Sequence, residues 1–142
     1  MLLITKLEKD AFLPTHKHEG DAGLDFYVYE DIIIKPKSFG IVRTGISIYF
    51  DWRFVGLLMA KSRSDYIIGA GVVDNNYQGE ILFKVFNIKD ENLVLNRGEA
   101  VGQMIVVYNF EPVFREISKK EFYEHKTNRG IDGGIVSQLT KQ

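Results

Sequence analysis

Among the side chains from which chemistry could be built, the most informative lie in GVVDNNYQGEI (residues 71–81). There an apolar run delivers one carboxylate, Asp74, into a polar turn, and Tyr77 follows before ILFKVF resumes. Asp and Asn side chains bond nearby backbone groups and favour such bends, so Asp74 has a plain structural reading as a turn cap. As a general base it would need a water within hydrogen-bond reach and an electrophile beyond that water. SRS (62–64) sets two hydroxyls beside the Arg63 guanidinium at the end of another apolar run. Arg63 and Ser64, helped by turn N–H groups, have the right chemistry to hold phosphate oxygens through charge-assisted bonds. Gln103, in RGEAVGQMIV (97–106), stands at a strand start, where its amide serves either a backbone group or a ligand. Arg129 lies in the glycine-rich tail KTNRGIDGGIVSQLTKQ (126–142). Its guanidinium fork matches phosphate, and the glycines supply the hinge freedom an arm would need to close over an anion.

Other chemistries fit less well. A glycosidase would need a second carboxylate roughly 5 to 9.5 Å from Asp74. Glu80 is near in sequence but reads as a solvated strand end, and the Asp-Thr/Ser-Gly triplet of aspartic proteases is absent. His16 and His18 have the two-residue spacing of half a metal site, yet Pro14 and Gly20 mark their segment as an exposed loop. The absence of cysteine removes thiol catalysis, disulfides and cysteine-ligated zinc. With 18 Lys plus Arg against 19 Asp plus Glu, the formal charge is −1, which argues against a protein that coats duplex nucleic acid.

These residues need a scaffold, and at 142 residues the chain has room for one domain with a sizeable core. Leu24, Phe26 and Val28 alternate with Asp25, Tyr27 and Tyr29, which places Asp25 on the face opposite the aliphatic one. Further strands are expected in FGIVRTGISIYF (39–50), FVGLLMA (54–60), IIGAGVV (67–73), ILFKVFNI (81–88), NLVL (92–95), QMIVVYNF (103–110) and PVFREI (112–117). Only SKKEFYEH (118–125) reads as helix. Strands at this spacing with no helical repeat between them predict an all-β sandwich, jelly roll or small barrel. The expected division is a β domain over 1–125 and a flexible C-terminal arm over 126–142. MLLITKLEKDAF has neither a basic leader nor a long apolar run, so the expectation is a cytoplasmic or otherwise intracellular protein without signal peptide or membrane span.

The order of the stretches adds to their chemistry. AGLDFYV, SRS, GVVDNNYQGE, RGEAVGQMIV and an Arg-Gly in a glycine-rich tail follow one another along nearly the whole chain. This resembles the homotrimeric dUTP pyrophosphatase (dUTPase) family, whose motifs run in that order. The resemblance implies a single jelly-roll-like β-barrel that hydrolyses dUTP to dUMP and pyrophosphate by water attack at the α-phosphorus. That activity limits uracil in DNA and supplies dUMP for dTMP synthesis. It further implies that Asp74 activates the water, that Tyr77 packs beneath the deoxyribose, and that the backbone around Gly71 and Val73 reads the uracil edge. Arg63, Ser64 and Gln103 would hold the triphosphate, Arg129 would reach the γ-phosphate, and Asp25 would support the water shell of a Mg2+ ion carried by the phosphates. In the family each site draws motifs from three subunits, so a homotrimer is implied, with no direct role for nucleic acid or membrane.

Three features depart from the family pattern. The connection from SRS to GVVD is several residues shorter, Asp65 places a negative charge beside the phosphate-binding turn, and Gly134 stands where the family carries the Phe that stacks on uracil. These departures leave a second reading, a nucleotide-binding or regulatory protein on the same fold with reduced catalysis. A dCTP deaminase of the same superfold is a lesser one, disfavoured by GVVDNNYQGE and GQMIV.

Overall fold

A computed structural model describes residues 2–127, and within them nearly all regular structure is β. The strands are β1 (Leu2–Lys6), β2 (Gly23–Tyr27), β3 (Ile32–Ile34), β4 (Phe39–Phe50), β5 (Phe54–Met59), β6 (Ile67–Ile68), β7 (Gly71–Val73), β8 (Glu80–Phe86), β9 (Leu93–Leu95) and β10 (Ala100–Tyr108). They form a four-stranded sheet β1-β4-β8-β6, a second four-stranded sheet β2-β10-β5-β7 and a small pair β3-β9, antiparallel at every pairing. Strand β8 shows why: Ile81, Phe83 and Val85 alternate with Leu82 and Lys84, so one face is buried and the other open. The inner faces of both large sheets supply one core, with Phe26, Met104 and Leu58 from one sheet against Ile46, Ile48, Phe50, Ile81, Phe83 and Val85 from the other. The rings of Phe26 and Phe83, from opposite sheets, lie 5.8 Å apart at a tilted angle. This is the expected all-β, jelly-roll-like architecture.

Several elements differ from expectation for reasons of pairing rather than propensity. IIGAGVV is not one strand: β6 pairs with β8 in the first sheet, whereas β7 pairs with β5 in the second, and Gly69-Ala70 carries the chain between them. Nor is 71–86 a hairpin, because β7 and β8 belong to different sheets and the turn at 74–79 crosses from one to the other. Strands β1 and β3 were not anticipated. Each is short and adds to an existing edge, β1 on β4 and β3 on β9. PVFREI forms no strand.

The β unit extends to Phe110, and a second unit begins at Glu111. In the second unit α1 (Lys119–Glu124) is the one helix among the described residues. The Ser118 hydroxyl caps it by accepting from the Glu121 N–H at 3.1 Å, and Arg115 bridges to Glu121 at 3.2 Å. Among the described residues no helix is long and apolar enough to cross a membrane.

Candidate functional site

Strand β10 is the spine of the site. Gln103 faces Asp25 of β2 on one side and Met59 of β5 on the other, and the turn after β5 continues through Lys61, Ser62 and Arg63. Together these side chains line a cleft of about 430 Å³, to which Lys17, His18 and Asp21 contribute from the loop before β2. The turn is closed by the Ser64 N–H donating to the Lys61 carbonyl at 3.0 Å, and anchored where the Tyr66 hydroxyl donates to the Val101 carbonyl at 3.0 Å. Burial raises the pKa of that phenol.

Asp25 is buried on the floor of this cleft, although its side chain lies opposite the aliphatic face of β2. What covers it is Lys61, whose ammonium is in contact with the carboxylate. Gln103 donates from Nε2 to the Ala60 carbonyl at 2.9 Å. The Arg63 guanidinium has no hydrogen-bond or ion-pair partner among the described residues and projects into solvent at the cleft wall. Three separated segments of sequence therefore converge on a cleft with an excess of cationic and donor groups, which suits a polyanion.

Asp74 does not cap its turn. The turn closes through the Tyr77 N–H donating to the Asp74 carbonyl at 3.1 Å, and the exposed Asp74 carboxylate bonds nothing among the described residues. The turn is held in place by other groups: Asn75 Nδ2 donates to the Trp52 carbonyl at 2.9 Å and the Ser47 hydroxyl donates to the Gln78 carbonyl at 2.8 Å. The Tyr77 hydroxyl donates to the Glu80 carbonyl at 2.8 Å, and the ring lies over Gly79, where a Cβ would come within 2.4 to 2.8 Å of its atoms. A chemically free carboxylate on a well-held turn is what a water-activating base requires. Glu80 is not its partner in acid–base chemistry, because its carboxylate accepts from Arg43 Nε at 3.2 Å and from the Gly45 N–H at 2.8 Å.

Cleft and turn are separate on one chain. None of Gly71, Val73, Asp74 or Tyr77 lines the cleft. Val73 is level with Gly56, while Gln103 is level with Met59, so the two lie roughly 10 Å apart along β5 and about two 4.8 Å strand spacings apart across it. Arg129 lies outside the described residues, as does Gly134. Asp65 does not line the cleft either. It pairs with Lys89, whose ammonium holds the Asp65 carboxyl below the usual carboxylate range while its own pKa is raised in turn. His16 and His18 line different pockets, and no group of three or more His, Asp or Glu among the described residues is arranged to hold a metal ion.

Lys61 and Lys17 escaped the sequence reading. Lys61 stands next to SRS, so the signal was at hand, but its pairing with Asp25 depends on β10 bringing β2 and β5 together. Lys17 offered no signal beyond a loop charge.

The dUTPase family profile matches residues 9–134. The deoxyuridine 5'-triphosphate nucleotidohydrolase of Clostridium kluyveri is 31% identical over 145 residues, covering 98% of each chain. That of Mycobacterium avium is 34% identical over 112 residues, covering 74% of this chain and 73% of its own. The fold superposes on a Staphylococcus bacteriophage 80alpha dUTPase variant solved with dUpNHpp, with TM-score 0.81 at 20% identity over 96% of this chain and 98% of that one. A variant of the dUTPase from phage phi11 of S. aureus, described as coordinating a structural Mg(II) ion, superposes with TM-score 0.77 at 19% identity over 84% and 97%. The fold is all-β, and the chain belongs to the dUTPase family.

Proposed function

We propose that this chain is a dUTP diphosphatase, hydrolysing dUTP to dUMP and pyrophosphate by attack of water at the α-phosphorus. The observation that carries the reading is the convergence of Asp25, Lys61, Arg63 and Gln103 from three separate segments on one cationic cleft. In this reading Arg63, Ser64 and Gln103 bind the triphosphate, with Arg129 adding to it. Asp74 takes the proton of the attacking water, the Tyr77 ring fills the space a 2′-hydroxyl would need, and the Gly71 to Val73 backbone reads the base. A base site of fixed backbone donors and acceptors rejects a mismatched edge because buried polar groups would be left unpaired.

The donor set fits Mg2+ in one way only. Mg2+ keeps several waters and binds through one or two carboxylates plus substrate phosphates. One buried carboxylate, Asp25, faces the cleft, and no protein cage exists among the described residues. Asp25 would hold the ion through water, and the bound ion would supply charge neutralisation on the phosphates. Phosphoryl chemistry asks mainly for positioning and charge compensation, so the chain's own work is to fix the polyanion, exclude excess water and hold the base.

Because cleft and base sit apart on one chain, the complete site is assembled between copies, in a homotrimer. The test is to mix the protein with dUTP and Mg2+ and to measure dUMP and pyrophosphate. Turnover by wild type with a loss of about 10²-fold or more in Asp74→Asn is expected; wild type no faster than that variant removes the enzyme reading.

A further inference from the structure

We infer that Gly23, the first residue of β2, is a positioning residue for Gln103 and through it for the bound triphosphate. The register pairs Gln103 with Asp25 and Ile105 with Gly23, so Gly23 is the diagonal neighbour of Gln103 on the same face. Diagonal neighbours on a sheet are within reach of a long side chain. The Gln103 side chain uses that reach. It lies across Gly23, and a Cβ built there would sit 1.8 Å from Oε1, 2.8 Å from Cδ and 3.3 Å from Cβ of Gln103. Its other end is fixed, since Nε2 donates to the Ala60 carbonyl at 2.9 Å.

The amide is thus laid flat between β2 and the end of β5, along the floor of the cleft that Gly23, Asp25, Lys61 and Arg63 also line. Only a residue with no side chain at position 23 permits this. Glycine inside a strand costs stability and often marks a place where another group must approach closely. Here the group is the side chain assigned to phosphate binding. Any larger residue would force the amide off Ala60 and up into the space the phosphates would occupy. The atom displaced is the far end of a flexible side chain beside an open cleft, so the fold should tolerate the change while the site does not.

This inference rests on the nucleotide reading above for its ligand, and a double-mutant cycle tests it. Gly23→Ala, Gln103→Ala and the double variant are titrated with dUpNHpp and Mg2+ by calorimetry, with a thermal melt of each. Losing a hydrogen bond to a charged oxygen predicts about tenfold weaker binding for Gln103→Ala and a similar loss for Gly23→Ala. In the Gln103→Ala background, Gly23→Ala should add less than about twofold, because the group it displaces is gone. Melting temperatures should stay close to wild type. In turnover of dUTP, Gly23→Ala should raise KM more than it lowers kcat.

Equal losses from Gly23→Ala in both backgrounds, or wild-type binding by Gly23→Ala, would overturn the assignment while leaving the nucleotide reading intact. Should Gly23→Ala fail to fold, recovery of the fold in the double variant upholds the contact and failure of both overturns it. No binding of dUpNHpp by wild type would remove the nucleotide reading, and this inference with it.

Discussion

Lys61→Met puts the architecture of the cleft floor under direct test. The substitution keeps a long stem but removes the ammonium that faces Asp25, leaving a buried carboxylate without its counter-charge. Removing one partner of a fully buried pair costs about 3–5 kcal/mol, because the remaining charge is uncompensated. Here the side chains retain 26% exposure for Lys61 and 9% for Asp25, and the open cleft lets water reach both, which reduces the cost to about 2 kcal/mol. For a chain of this size that corresponds to a fall in Tm of about 6 °C. Asp25→Asn in the same chain needs no counter-charge, so the double variant should recover part of the loss, with an interaction of about 1.5 kcal/mol. The assay is thermal and urea unfolding of the four proteins at neutral pH and one protein concentration, since assembly makes stability depend on concentration. A Lys61→Met variant melting within about 1 °C of wild type, or a cycle that is additive, would refute the argument.

Other expectations follow from the same contacts. Tyr77→Ala should admit UTP, lowering discrimination between dUTP and UTP in kcat/KM by about 10-fold or more; an unchanged ratio would remove the ring's role as sugar filter. Because Lys89 neutralises Asp65 outside the cleft, Asp65→Asn should leave KM for dUTP within about twofold, whereas Lys89→Ala should raise it. A large fall in KM for Asp65→Asn would show that the carboxylate does act on the phosphates. Asn87 is buried, donates to the Ile34 and Glu91 carbonyls at 2.9 and 2.7 Å, and accepts from the Lys89 N–H at 3.0 Å. Asn87→Ala should therefore cost about 3 kcal/mol in urea unfolding, and a loss below about 1 kcal/mol would contradict that role.

Much of the β architecture was legible because one face of each strand is buried. Leu24, Phe26 and Val28 could be read onto one face from alternation alone, and Asp25 onto the opposite one. What alternation does not carry is pairing. IIGAGVV looks continuous, yet its halves belong to different sheets, and β1 and β3 exist only because an edge of β4 or β9 accepts them. The site divides in the same way. Arg63, Ser64 and Asp74 announce themselves by local chemistry, and the order of the stretches adds the rest of the motif set. Lys61 on Asp25 and Gln103 over Gly23 are products of the β2-β10-β5 register, which has no local signature. The charge of Asp65 is offset by Lys89 from a distant loop, a pairing with no local signature.

The account turns on a site divided between copies of the chain, with the phosphate cleft from one and the Asp74 turn from another. Mixing two crippled variants tests this directly. One carries Asp74→Asn; the other carries Arg63→Ala with Gln103→Ala. Each alone should turn over little dUTP. Unfolded together in equal amounts and refolded, they should recover about a quarter of wild-type activity, since half of the clefts and half of the turns are intact and combine at random between subunits. Activity no higher than the mean of the separately refolded variants would contradict a shared site.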